Sequence, residues 1–149
     1  MSRPTGLARW SVAATVVLIA AGIGLAVTDS LFARQPLALV LQAAAVLLML
    51  WARVTFGMRS FHAAADPTSG GLVTTGPYRY VRHPIYAAVL LFVWAGVATH
   101  ATPRAVALAL LATAATAVRI WAEERLVTAR YPDYREYAAR TKRVIPFVL

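Results

Sequence analysis

The sequence predicts an all-α integral membrane protein with about four transmembrane helices, a tight hairpin between the third and fourth, and a C-terminal amphipathic segment. Three observations carry this expectation. Of the 149 residues, 60% are hydrophobic and only 14% charged, against ~45–50% and ~25% in a typical soluble domain. The mean hydropathy is +0.62. Long uncharged runs alternate with basic residues that fall almost entirely on one side. At this length there is room for one domain, residues 1–149.

The first uncharged run, between Arg9 and Asp29, holds nineteen residues. At ~1.5 Å per residue it reaches ~28 Å, close to the ~30 Å hydrocarbon core. A signal peptide would also place Arg3 and Arg9 before an apolar stretch, with small residues at Gly24 and Ala26. The run is long for that, and another hydrophobic helix follows closely, so a retained span is expected. The second run fills the eighteen residues between Arg34 and Arg53. The third covers 84–99 and continues through His100 to Pro103. The fourth begins after Arg104 and meets Arg119 after fourteen residues. That is ~21 Å, too short to cross unless the helix continues past Arg119 towards Glu123.

Basic residues set the orientation. With a cytoplasmic N-terminus, all but two of the fifteen Lys and Arg lie on inner segments. The exceptions are Arg34 and Arg104, in the short outer loops 29–35 and 99–104. This is a positive-inside distribution, with both termini cytoplasmic. A net charge of +9 and a pI near 11.1 would suggest nucleic acid in a soluble protein. Here they fit loops facing anionic headgroups, and no nucleic-acid partner is expected. The absence of cysteine excludes disulfides, thiolate metal sites and cysteine nucleophiles, and no metal site is expected. No internal repeat of the kind that builds inverted-repeat transporters is present.

Chemistry is expected on the inner face, where the loop 53–83 and the segment after Arg119 are long and polar. The loop ends in Gly76-Pro77-Tyr78-Arg79-Tyr80-Val81-Arg82-His83-Pro84-Ile85-Tyr86. Pro84 suits the first turn of a helix. Arg82 and His83 then sit at its N-terminal boundary, where free amides and the dipole favour an anion. Tyr86 follows His83 by three positions and shares its face. A lone Arg or Tyr here reads as an interfacial anchor; the whole string asks for more. The second constellation is Arg119-Ile120-Trp121-Ala122-Glu123-Glu124-Arg125-Leu126. Adjacent carboxylates near a membrane are costly unless solvated, paired or bound to a cation. Arg119 and Glu123 stand four apart and can pair, while Glu124 points roughly 100° away from Glu123. The tail, with Tyr131, Pro132, Tyr134 and Tyr137 among basic residues, reads alone as an amphipathic segment on the inner leaflet.

Taken together, the Gly76–Tyr86 string, Glu123-Glu124-Arg125-Leu126, Tyr131-Pro132-x-Tyr134-x-x-Tyr137 and Ile145-Pro146 resemble the isoprenylcysteine carboxyl methyltransferase family, a relative of the membrane phospholipid N-methyltransferases. The resemblance covers residues 70–146. It implies an integral membrane enzyme using S-adenosylmethionine, with a lipophilic small molecule, a lipid or a prenylated protein as acceptor. It further implies that His83 and Tyr86 contact the cofactor, supported by Arg82 and Tyr78, and that Glu123 and Glu124 complete the pocket. Arg119 would lie between cofactor and acceptor, making Arg119 and His83 the candidate catalytic residues. The family often has Gly two residues after the motif tyrosine, where this chain has Ala88. An extra methyl there narrows the close approach a glycine allows.

The cofactor's groups match these residue types. Carboxylates accept from an ammonium or from hydroxyls, and Arg or a helix N-terminus holds a carboxylate. Methyl transfer is an in-line displacement dominated by positioning; a base is needed only for a protonated acceptor, with His83 as candidate. A dinucleotide-type glycine loop is absent, since Gly22 and Gly24 fall within the first span. Two other classes compete: an NADPH-dependent membrane sterol or enone reductase, and a non-catalytic membrane subunit or small transporter. The reductase fits Arg-His-Pro-x-Tyr followed by Glu-Glu less well. A transporter should carry ionisable groups near the bilayer midplane, and apart from Arg119 these spans have none.

Overall fold

In lipid, a single segment can satisfy its backbone polar groups only as a continuous helix. The computed structural model describes residues 6–57 and 71–145, and there the four runs become four helices. α1 spans Gly6–Val27, α2 Pro36–Phe56, α3 Pro84–Ala98 and α4 Pro103–Arg130. A 3-10 turn, Gly76–Arg79, precedes α3, and a short helix α5, Tyr134–Arg140, follows α4. Arg3 and Arg59 of the inner charge set, and Gly70 and Pro146 at the edges of the motif region, lie outside the described residues.

Proline starts three of the helices, at Pro36, Pro84 and Pro103, where its missing N–H costs nothing. Before α4, the Thr102 hydroxyl accepts from the Ala105 N–H at 3.1 Å, a side-chain N-cap. α4 runs through Arg119 without a break for 28 residues, ~42 Å, which resolves the shortness of its uncharged run. α1, α2 and α4 are each long and apolar enough to cross a membrane. α3 is the exception. Its 15 residues reach only ~22 Å, because the helix stops at Ala98 instead of following the uncharged run to Pro103. The Thr99 and His100 amides close the end on the Gly96 and Val97 carbonyls, and the Thr99 hydroxyl also donates to Gly96.

The outer surface of α1 and α2 is apolar, with Val12, Val16, Ile19, Ile23, Val40, Leu47 and Leu50 all exposed. A patch of this extent suits hydrocarbon, not water. The protein is an integral membrane protein.

The turn at 99–102 joins α3 to α4 as a hairpin, but each packs mainly on another partner: α4 lies along α1, and α3 along α2. Small residues permit the approach. Ala14 and Ala21 on α1 and Ala105, Ala109 and Ala112 on α4 are buried. Leu25, Val93, Val97, Ala105 and Ala109 form the core cluster, which sits at the hairpin end of the bundle. Nearby, buried Gln42 donates to the carbonyls of Leu31 (2.7 Å) and Phe92 (3.0 Å) and accepts from the Ala33 N–H (3.0 Å). Gly96 packs directly on the Leu31 carbonyl, with no room for a Cβ. The polar ends of α3 and α4 lie at the opposite end, where the site is built.

Candidate active site

The approach to α3 is set by backbone geometry. Gly76 has φ +56°, and a Cβ there would meet Thr55 Oγ1 at 2.5 Å, so only glycine fits the turn under α2. The turn buries Tyr78, whose ring lies 5.4 Å from that of Phe56. Residues 80–83 then run parallel to 142–143: Arg82 N–H donates to the Lys142 carbonyl (2.7 Å), His83 N–H to Arg143 (2.9 Å) and Lys142 N–H to Tyr80 (3.3 Å). This pairing fixes Arg82 and His83 immediately before the first turn of α3.

Six side chains expected at one site meet there. The Tyr86 hydroxyl donates to Glu123 Oε1. Arg119, buried in the bundle, donates through Nε to the Tyr86 oxygen at 2.6 Å and through Nη2 to Glu123 Oε1 at 3.0 Å. His83 stands between the two glutamates, with Nδ1 3.7 Å from Glu123 Oε2 and Nε2 3.4 Å from Glu124 Oε1. Arg82 Nε donates to Glu124 Oε1 at 3.0 Å. Glu124 Oε2 accepts from Arg143 Nε at 3.0 Å. The 100° offset thus assigns different cations to each carboxylate, Arg119 to Glu123 and Arg82 with Arg143 to Glu124, and His83 bridges them.

The C-terminal segment closes this arrangement at the end of the bundle. α5 is amphipathic, as expected, but its tyrosine face is turned onto the protein and not onto the leaflet. Tyr134 and Tyr137 are buried, and the Tyr137 hydroxyl donates to the Tyr78 carbonyl at 2.6 Å. Arg82 Nη1 donates to the carbonyls of Ala138 (2.8 Å) and Thr141. Burial pushes the Tyr137 phenol up to about 12; burial likewise raises Tyr134 and, with the neighbouring Tyr137, Tyr78.

Each sequence-predicted residue except Tyr78 therefore lies in the charged cluster itself; Tyr78 lies behind it, holding α5. Ala88 is fully buried in α3. Two participants escape the sequence reading. Thr15 of α1 accepts from Arg119 Nη1, and Arg143 reaches Glu124 from the tail. A hydroxyl inside an apolar span carries no spacing signal, and Arg143 looks like one more basic tail residue.

The cluster offers carboxylates as acceptors, guanidinium groups as anion partners and the first amides of α3 within one region at the end of the bundle opposite the 99–102 turn. A model of the phospholipid methyltransferase family matches residues 33–134, more than half the chain, and the match includes every one of the charged helix-end residues above except Arg143. The chain belongs to the phospholipid methyltransferase family. The family is one of membrane methyltransferases, of the group that the motif string resembles, and it generally uses S-adenosylmethionine. It is also similar to the nickel-cobalt-cadmium resistance protein NccN of Alcaligenes xylosoxydans xylosoxydans, 36% identical over 76 residues, 50% of this chain and 36% of that protein. The cobalt-zinc-cadmium resistance protein CzcN of Cupriavidus metallidurans is 36% identical over 76 residues, 50% of this chain and 35% of that protein. The matched stretch thus spans little more than a third of these curated relatives. No solved structure matches.

Proposed function

We propose that this protein is a membrane methyltransferase that moves a methyl group from S-adenosylmethionine to a lipophilic or membrane-associated acceptor bearing a carboxylate, amine or thiol, at the cluster of His83, Tyr86, Arg119, Glu123 and Glu124. The observation that supports it most is the meeting of the α3 start with the α4 inner half, with both signs of charge in reach of one ligand. The donor set suits the cofactor. Glu123 and Glu124 keep 22% and 15% side-chain exposure, enough to accept from an ammonium or ribose hydroxyls. Arg82 and the α3 amides suit its carboxylate. Bound there, the cofactor supplies an electrophilic methyl on a sulfonium.

The residues of the chain then position and exclude water. Tyr86 and Glu123 hold Arg119 beside the cofactor region, where its guanidinium steers an anionic acceptor group into line. His83, between two carboxylates, takes a proton where the acceptor arrives protonated. A lipophilic acceptor would reach the cluster from the lipid side, and the charge distribution assigns both termini to the cytoplasm. Reporter fusions should place the C-terminus inside and the 99–102 turn outside.

The test is transfer from methyl-labelled S-adenosylmethionine into a membrane extract, with mass identification of the labelled product. A labelled lipophilic product is expected. Thermal protection by NADPH, without protection by S-adenosylhomocysteine, would move the protein to the reductase class. Among the described residues no group of three or more His, Cys, Asp or Glu is placed to hold a metal ion.

A further inference from the structure

The buried residues of α1, Ser11, Ala14, Ala21 and Leu25, recur at steps of three, seven and four residues, one helical face, and mark the side turned to α4. At the inner half of this face the small apolar side chains give way to hydroxyls, at Ser11 and, one turn on, Thr15. A hydroxyl in hydrocarbon needs partners, and Thr15 has them on both sides. Its proton goes to the Ser11 carbonyl, at 2.8 Å. With that proton committed, its lone pairs accept from Arg119 Nη1.

The contacts divide the guanidinium. Nε and Nη2, which form its side edge, bind Tyr86 and Glu123. Those two acceptors are themselves joined by a hydrogen bond, so they act as one unit on one edge. Nη1 lies at the other end, and Thr15 holds it. A planar fork secured at one edge can still tilt about that edge; a contact at the far end fixes the plane. Charge neutralisation alone needs only Glu123, so the hydroxyl contributes orientation.

We infer that Thr15 is a positioning residue of the methyl-transfer site, acting through Arg119; this rests on the reading that Arg119 steers the acceptor. The role comes from a helix outside the matched family segment, residues 33–134, so α1 is part of the catalytic architecture as well as a membrane span.

The test compares Thr15→Val, which keeps the shape and removes the hydroxyl, with Thr15→Ser, which keeps the hydroxyl. Two quantities are measured on the detergent-purified full chain: label transferred into membrane extract per unit time, and S-adenosylhomocysteine affinity by calorimetry. Thr15→Val should lower turnover roughly 10- to 100-fold with S-adenosylhomocysteine affinity unchanged, and Thr15→Ser should restore turnover. If Thr15→Val does not fold, Thr15→Ala against Thr15→Ser decides in the same way. Wild-type turnover in the Val variant, a Ser variant no better than Val, or a parallel loss of affinity each overturns the role of Thr15. A wild-type protein that neither binds S-adenosylhomocysteine nor transfers label overturns the methyltransferase site itself, and this inference with it.

Discussion

Arg82 and Glu124 are separated by forty-two residues and a helical hairpin, yet their side chains lie 3.0 Å apart. Arg82 also spans from that carboxylate to the Ala138 and Thr141 carbonyls, so one guanidinium ties α3, α4 and the tail together. Arg143 binds the same carboxylate from a side chain that is 60% exposed, against 10% for Arg82.

The two arginines should therefore behave differently. Arg82→Ala leaves Glu124 short of its buried partner and releases the tail carbonyls, a loss of about 3–5 kcal/mol for a broken buried pair. Arg143→Ala removes a solvent-screened contact and should cost less than ~1 kcal/mol. Thermal unfolding in detergent separates them: a large fall in Tm for the first and little change for the second. Equal effects would remove Arg82 as the organising contact.

Glu123→Gln and Glu124→Gln should each weaken S-adenosylhomocysteine binding. A charge-assisted hydrogen bond contributes roughly 1.5–3 kcal/mol, or on the order of 10- to 100-fold in affinity. Calorimetry of the inserted, detergent-extracted variants measures this. Wild-type affinity in both would leave the glutamates as partners of Arg119, Arg82 and Arg143 alone.

Gly96→Ala probes the hairpin end, far from the charged cluster. The added methyl collides with the Leu31 carbonyl and crowds Gln42 Nε2 at 3.1 Å; backbone cannot move aside as a side chain would. Overpacking of this kind costs about 1–3 kcal/mol, so Tm should drop while S-adenosylhomocysteine affinity of the folded fraction stays at the wild-type value.

Alkaline pH should undock the tail. The Tyr137 phenol titrates near 12 in the folded protein against an ordinary value of 10.0, so above pH ~10 the folded state holds the proton that the unfolded state has lost. Stability is then full below pH 10 and declines as pH rises towards 12. Tyrosinate absorbance should appear together with loss of the tail's protease resistance, and Tyr137→Phe should retain resistance to higher pH than wild type. Simultaneous titration of all tyrosines at pH 10, with the tail still protected, would contradict the docked arrangement.

The spans and the convergence of the cluster were legible because charge and proline mark their ends. Pro36, Pro84 and Pro103 start helices, and the Arg119–Glu123 spacing is a local helical pairing. Packing partners were not legible. The short turn before Pro103 makes α3 and α4 neighbours in sequence, but the small-residue faces of α1 and α2 take most of their contact, and composition does not say which apolar stripe meets which. The same limit hid Thr15. For α5, the tyrosine pattern gave an amphipathic helix; only tertiary structure could show that Arg82 and the Tyr78 carbonyl, not the leaflet, receive its inner face.

The shortness of α3 bears on the surrounding bilayer. At ~22 Å, it leaves some 8 Å of a ~30 Å core without a matching helix, and that deficit falls beside the charged cluster if the hairpin turn sits at the opposite interface. Lipid answers such a mismatch by thinning locally. Headgroups and water then dip towards His83 and Tyr86, so water-soluble and lipid-embedded molecules reach this end of the bundle at one depth. Membrane thickness thereby becomes a determinant of how well the protein is seated.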